Sequence, residues 1–173
     1  MDNLNSLYKV KLDEKKKRID IDCQNKKAMS QFEAENSLDI LILLPKIFTE
    51  HCEIDASAKE LYIENLSIKR LEYDGAADSV YIKDVEGSLE LTGKTDYEIS
   101  VDGICAQLDI NQWGAKTLIH VADIDEYAFV NKGRKSKIYY LKEGIISEEI
   151  PEANGANIIS ISGIGSELIV SNN

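Results

Sequence analysis

An internal repeat of about 19 residues dominates the chain between positions 50 and 146. Along this stretch, short triplets with an apolar residue at each end recur in two series. The first series of triplets begins at Cys52, Leu71, Leu89, Leu108 and Tyr127. The second series begins at Leu61, Val80, Ile99, Ile119 and Tyr139. Alternation of this kind is the period-2 signature of a β-strand that buries one side.

A unit of about 19 residues is too small to bury its own apolar side, so each unit must stack on the next. We therefore predict an all-β fold, a single-stranded parallel β-solenoid (β-helix) of about five to six coils, with neighbouring strands about 4.8 Å apart. Leu91 and Val101 should be fully buried in its middle coils. After a loop at 142–155, strands at Ile158–Ser162 and Glu167–Ser171 are predicted to form a closing coil. A third series of single apolar residues is expected to fill a corner of the solenoid: Leu66, Val85, Ile104, Ile124 and Ile145.

Residues 1–49 lack the repeat and are predicted to form an N-terminal cap. Tyr8–Leu12 and Arg18–Asp22 alternate in polarity and flank a charged turn, which is typical of a β-hairpin. Leu38–Leu44 is predicted to be a further strand. A solenoid needs such a cover because the edge of its terminal coil is otherwise open to association. The expected organisation is one structural domain, with the cap at 1–49 and the solenoid at 50–173.

This layout resembles the adhesin-like β-solenoid domain of bacterial cell-envelope proteins. The resemblance lies in the strand that ends in leucine and proline, Ile40–Pro45, followed by repeating strand-and-turn coils. Turns that correspond to the family's Ser-Gly-Asp turn are Asp74-Gly75, Thr92-Gly93 and Asp102-Gly103. The pattern extends over residues 7 to about 171. The resemblance implies a binding role and brings no catalytic residues with it.

The charge of the chain limits its partners. With 20 basic and 31 acidic residues the net charge is −11, which disfavours nucleic acid and anionic membrane surfaces. No segment approaches the roughly 20 apolar residues that span a bilayer, so we expect no membrane insertion. The first residues carry no signal-peptide pattern, so the chain as written is expected in the cytoplasm. If the natural protein carries a signal or anchor that this sequence lacks, the expected location is the cell envelope instead.

If the apolar ends of the first triplets point inward, their middle residues form an outward row of carboxylates. This acidic row consists of Glu53, Glu72, Glu90 and Asp109. Like charges at strand spacing should raise one another's pKa. The row is either a solvated surface that blocks association or a cation site, and Ca²⁺ is the expected ion because it prefers several oxygen ligands. Pectate lyases carry a similar acidic β-helix face, so a polysaccharide-active enzyme is an alternative.

The middle residues of the second triplets form another outward row. Its members are Tyr62, Tyr81, Ser100, His120 and Tyr140. Tyrosines in neighbouring strands pack on one another, and exposed aromatic rows also bind sugar rings or protein surfaces. Trp113, at a coil corner, is expected to extend this patch. A homodimer through the same surface is an additional expectation.

The function that these features favour is a non-enzymatic, adhesin-like binding or scaffold module for a carbohydrate or a protein surface. No catalytic motif is present, and no cofactor is expected apart from Ca²⁺ at the acidic row. The alternatives are a polysaccharide-active β-helix enzyme and an envelope-stress regulatory module that acts through a protein partner. The three cysteines, Cys23, Cys52 and Cys105, are too widely spaced for a metal site and are expected to be buried thiols.

Overall fold

The computed structural model describes residues 8–13, 15, 18–23, 41–44, 46, 50–148 and 155–172, and in these residues the protein is all-β. Within the described residues a 3-10 turn spans Ile124–Glu126. The twelve strands of a single sheet are β1 Tyr8–Asp13, β2 Arg18–Cys23, β3 His51–Asp55, β4 Ala58–Asp74, β5 Ala77–Gly93, β6 Tyr97–Trp113, β7 Lys116–Val121, β8 Tyr127–Asn131, β9 Lys137–Lys142, β10 Ile145–Ser147, β11 Asn157–Ile164 and β12 Glu167–Asn172.

The repeat sets the register of a mostly parallel sheet. Long strands β4, β5 and β6 pair in parallel, and Leu61 lies opposite Val80, which lies opposite Ile99. The first series of triplets aligns in the same way, because Leu71 pairs with Leu89. Each repeat therefore places its apolar triplets directly on those of the next repeat.

The inward residues of these strands form one continuous apolar core. Leu91 and Val101 are 0% and 1% exposed, as the alternation predicts. In the triplets of β5 and β6, the residue between two inward residues stays partly exposed. The core is thus built from short segments that bury one side only, which a single repeat could not shield from water.

The third series of single apolar residues is confirmed at Val85 and Ile124, holds in part at the half-buried Leu66, and is wrong at Ile104 and Ile145. Ile124 is 5% exposed, whereas Ile104 and Ile145 are 52% and 70% exposed. The buried corner position in β6 belongs to Cys105, which pairs with Val85. One extra residue at this corner turns the following side chain inward, because side chains alternate along a strand. Ile145 begins β10, which pairs antiparallel with β9 outside the repeat pattern.

A left-handed residue marks the same corner in three successive repeats. Asn65, Asp84 and Gly103 have φ values of 52°, 50° and 71° and follow one another at 19-residue steps. Asparagine, aspartate and glycine adopt this conformation at least cost among the amino acids. The backbone therefore takes the same left-handed conformation at one position in each of these repeats.

The N-terminal hairpin is confirmed. Strands β1 and β2 pair antiparallel, and β2 continues the sheet by pairing in parallel with β3. The strand predicted at 38–44 is not formed at residues 41–44, and residues 38–40 lie outside the described part of the chain. Leu44 nevertheless packs against the core.

The C-terminal strands form as predicted but lie in a different place. Strand β11 lies between β6 and β8, and β12 lies between β7 and β9, so neither is a closing layer at the end of the sheet. Their inward residues Ile159, Ile161, Leu168 and Val170 are all 0% exposed. Strand β8, by contrast, pairs only with β11 among the described strands, and it carries the half-buried Phe129.

Candidate functional site

The acidic row forms as predicted by the alternation. Glu53, Glu72, Glu90 and Asp109 are successive partners in the parallel register. Each of the four residues is partly exposed, so the row lies on the outer surface. Beyond Asp109 the row continues to Ser160 of β11, where the charges end.

Basic side chains of the protein pair with this row. Arg70 Nε lies 2.7 Å from Glu72 Oε1, and Arg70 Nη2 donates to Glu90 Oε2 at 2.8 Å. Ser162 Oγ donates to Asp109 Oδ1 at 2.9 Å, and Lys132 Nζ lies 3.8 Å from Asp109. Arg70 and Lys132 therefore offset much of the repulsion expected within a row of carboxylates.

The expectation that like charges raise the pKa values in this row is wrong for Glu90. Partial burial acts to raise the pKa of Glu90, but hydrogen bonds from Arg70, Asn111 and Thr92 favour the ionised form more strongly. The net result is a pKa below the usual glutamate value. The hydrogen bond to Glu90 likewise raises the pKa of Arg70. This part of the row is a structural ion-pair network.

A histidine joins the row at its N-terminal end. His51 and Glu53 are two residues apart on β3, so both point outward, and Glu72 lies across from Glu53 on β4. His51 Nε2 lies 3.1 Å from Glu72 Oε1. One ligand atom from each of the three side chains lies within 4.8 Å of the others. His51 is not among the predicted site residues, although its His-x-Glu spacing to Glu53 on one strand is a signal for this arrangement.

The tyrosine row brings Tyr62 and Tyr81 into contact. The two residues are register partners, and their rings stack with centroids 4.6 Å apart and planes 13° apart. Tyr62 is 57% exposed, and its hydroxyl donates to Glu60 Oε2 at 3.1 Å. This hydrogen bond to Glu60 is the main reason why the pKa of Tyr62 is raised. The row continues to Ser100 and His120.

Tyr140 does not belong to this row, contrary to the prediction. It pairs with Val170, which pairs with the buried Ile119, and Tyr140 packs against the core. The outward row passes from His120 to Ser171 and then to Leu141. A one-residue difference between the expected and the observed register is enough to exchange the two sides of a strand.

His120 makes a close contact that the sequence pattern does not predict. Its Nδ1 hydrogen bonds with Ser171 Oγ at 2.6 Å, and its Nε2 lies 3.9 Å from Glu98 Oε1. Serine, histidine and glutamate together suggest a hydrolase. Ser171 is only 5% exposed, however, so its hydroxyl is poorly placed to attack a substrate. The contact instead fixes the orientation of the His120 ring on the surface.

Trp113 lies apart from the tyrosines. It ends β6, is 41% exposed, and aligns with the half-exposed Ile164 of β11. The stacked tyrosines lie in the N-terminal halves of β4 and β5. Among the described residues, Trp113 makes no ring contact with either tyrosine. The structure therefore provides two separate exposed aromatic positions.

One groove among the described residues is smaller than a typical small-molecule site. An open groove of about 220 Å³ lies at the left-handed corner and is lined by Asn65, Leu66, Ser67, Asp84, Glu86 and Ile104. Small-molecule sites usually occupy about 300–1,000 Å³. This groove is therefore too small to enclose a typical substrate.

The cysteines provide no reactive thiol in the described core. Cys52 and Cys105 are both 0% exposed, as expected. Burial raises the pKa of Cys105 to about 12, which keeps the thiol protonated and unreactive. The side chain of Cys23 lies outside the described part.

Comparisons of the chain with protein-family models, with curated proteins and with solved structures find no match. Within the described residues, no helix has the length and hydrophobicity to cross a membrane. The candidate sites therefore rest on the geometry of the chain itself.

Proposed function

We propose that the sheet winds into a parallel β-solenoid of about five to six coils, capped at one end by the β1–β2 hairpin. The parallel register at 19-residue steps in β4 and β5 supports this winding. So does the single core formed by the inward residues of successive strands. On this solenoid the tyrosine row and the acidic row occupy different sides. Strands β4 and β5 each carry the tyrosine row in their N-terminal half and the acidic row in their C-terminal half.

The function we propose is that of a non-enzymatic binding module, whose ligand-binding surface is the stacked pair Tyr62–Tyr81. The observation that carries the proposal is a ring stack with 57% of Tyr62 exposed. Tyrosine supplies a large contact area at a small entropic cost, and its ring packs against apolar groups. The resemblance to adhesin-like domains is consistent with such a role.

A neutral carbohydrate is the ligand class that the surroundings of this pair favour. Aromatic rings pack against the C–H groups of sugars, and nearby side chains can bond to hydroxyl groups. Glu60 and Glu64 are exposed beside Tyr62, and Ser100 follows Tyr81 in the row. The net charge of −11 disfavours strongly anionic glycans.

Glycan retention by matched variants tests this proposal. We expect Tyr62→Ala and Tyr81→Ala to weaken binding on an array of neutral glycans by about fivefold or more, since aromatic anchors typically contribute at least about 1 kcal/mol. Trp113→Ala is the control, because it removes an exposed aromatic side chain away from the stack. Binding by this variant should equal that of the wild type.

Other outcomes would assign a different function. Equal glycan retention by the wild type and both tyrosine variants would overturn the proposal that the stacked pair Tyr62–Tyr81 binds the ligand. Loss of self-association in Tyr62→Ala, without any glycan retention by the wild type, would assign the tyrosines to a homodimer contact. Specific capture of a protein would favour the regulatory alternative, and turnover of a polysaccharide would favour the enzyme alternative.

A further inference from the structure

One imidazole and two carboxylates converge at the N-terminal end of the acidic row. His51 and Glu53 lie on β3, and Glu72 lies on β4 directly across from Glu53. All three side chains are partly buried, and their nearest ligand atoms lie within 4.8 Å of one another. We propose that these three residues bind a divalent transition-metal ion of the zinc type.

The imidazole of His51 is the observation that distinguishes this group from the rest of the row. The side chain is 34% exposed, but its Nε2 atom is shielded from solvent and has no hydrogen-bond partner among the described residues, with Glu72 Oε1 3.1 Å away. A buried polar atom that lacks a hydrogen-bond partner lowers the free energy of unfolding. A metal ion between His51 and the carboxylates would satisfy the nitrogen through its lone pair.

The donor set selects the class of metal. Ca²⁺ and Mg²⁺ prefer oxygen ligands alone, whereas Zn²⁺ accepts imidazole nitrogen together with carboxylate oxygen. Two ligands on a tetrahedral zinc ion lie about 3.4 Å apart, given metal–ligand bonds of about 2.0–2.2 Å. The observed separations need small side-chain rotations to reach this geometry, and solvent would supply the fourth ligand.

Arg70 does not prevent this binding. Its Nε holds Glu72 Oε1 at 2.7 Å, and its Nη2 holds Glu90. Among the described side chains of the row, Glu53, Glu72 and Glu90 contribute three negative charges and Arg70 one positive charge, a balance of −2 that favours a cation. The guanidinium also orients the Glu72 carboxylate, as outer hydrogen-bond partners commonly do for metal ligands.

Such an ion would fasten the short strand β3 to the long strand β4. The ion would bind at the N-terminal end of the repeats, and its binding does not depend on the stacked pair Tyr62–Tyr81. Because the ion binds the folded arrangement, it should raise the melting temperature by mass action. The same ion should leave glycan retention unchanged.

Metal titration of the full chain after chelator treatment tests the proposal. We expect one Zn²⁺ to bind per chain by calorimetry and to raise the melting temperature more than Ca²⁺ or Mg²⁺ at matched ionic strength. His51→Ala, Glu53→Gln and Glu72→Gln should each weaken zinc binding at least tenfold. His120→Ala is the matched control, since it removes the other histidine of the chain and should leave zinc binding unchanged.

A measurement on the wild type avoids any dependence on the folding of the variants. Only two histidines are present, so the imidazole ¹⁵N signals can be assigned readily, and zinc should shift the signal of His51 alone. Equal zinc binding by the wild type and His51→Ala would overturn the proposal. So would the absence of a His51 shift at saturating zinc, or equal stabilisation by Ca²⁺.

Discussion

At the scale of single residues, partners across strands change what a row of like charges does. The alternation correctly predicts that Glu72, Glu90 and Asp109 align. It does not predict that the Arg70 guanidinium reaches two of these carboxylates, because a long side chain can take many rotamers from one backbone position. Glu90 is consequently stabilised in its ionised form.

Replacement of Glu90 tests this network through the pH dependence of stability. A carboxyl group whose pKa is lower in the folded state contributes stability above its unfolded pKa and loses that contribution as the pH falls through the folded value. At pH 7 we expect Glu90→Gln to lower the free energy of unfolding by about 1–2 kcal/mol. Below about pH 4.3 the difference from the wild type should shrink. Urea denaturation at neutral and acidic pH measures it.

The control for this experiment is Glu64→Gln, which changes an exposed glutamate in the N-terminal half of β4, away from the acidic row. Its effect on stability should be small at each pH, as is usual for surface substitutions. A Glu90→Gln effect that stayed constant from neutral to acidic pH would contradict the assigned ion pairs.

At the scale of strands and corners, the periodic part of the sequence is more informative than the insertions in it. The triplets locate the strand pairs β4 and β5 because each apolar residue recurs at a fixed step. The exposed Ile104 and the buried Cys105 differ from the expectation because one inserted residue reverses the side of each residue until the register recovers. Both residues are apolar, so polarity alone could not distinguish them.

The left-handed corner gives a test at this scale. Asn65 has a φ of 52°, a conformation that a β-branched side chain adopts only with strain. We expect Asn65→Val to lower the free energy of unfolding by about 1–2 kcal/mol. Asn65→Gly should stay within about 0.5 kcal/mol of the wild type, because glycine accepts this conformation. Thermal unfolding of both variants measures the difference, and equal destabilisation by valine and glycine would contradict the conformational argument.

At the scale of the whole molecule, the spatial order of the strands departs from their order in the chain. Strand β11 pairs with β6 on one edge and with β8 on the other. The sequence predicts the strands of the C-terminal segment but not their place, because the apolar triplets of β8 and β11 can both stack on Leu108. The choice depends on the total apolar area that each arrangement buries, which no local pattern encodes.

This order predicts unusual protection near the C-terminus. Terminal segments usually open first in hydrogen exchange, since few contacts hold them. Here β11 and β12 are paired on both edges, so their amides should exchange as slowly as those of β5 and β6 and more slowly than those of β8.

A pair of substitutions provides a second test of the strand order. Ile161→Ala should lower the free energy of unfolding by about 2–5 kcal/mol because Ile161 is 0% exposed, whereas Val130→Ala in β8 should lower it much less because Val130 is 38% exposed. Fast exchange throughout β11 and β12, with a small effect of Ile161→Ala, would instead place these strands at an open end of the sheet.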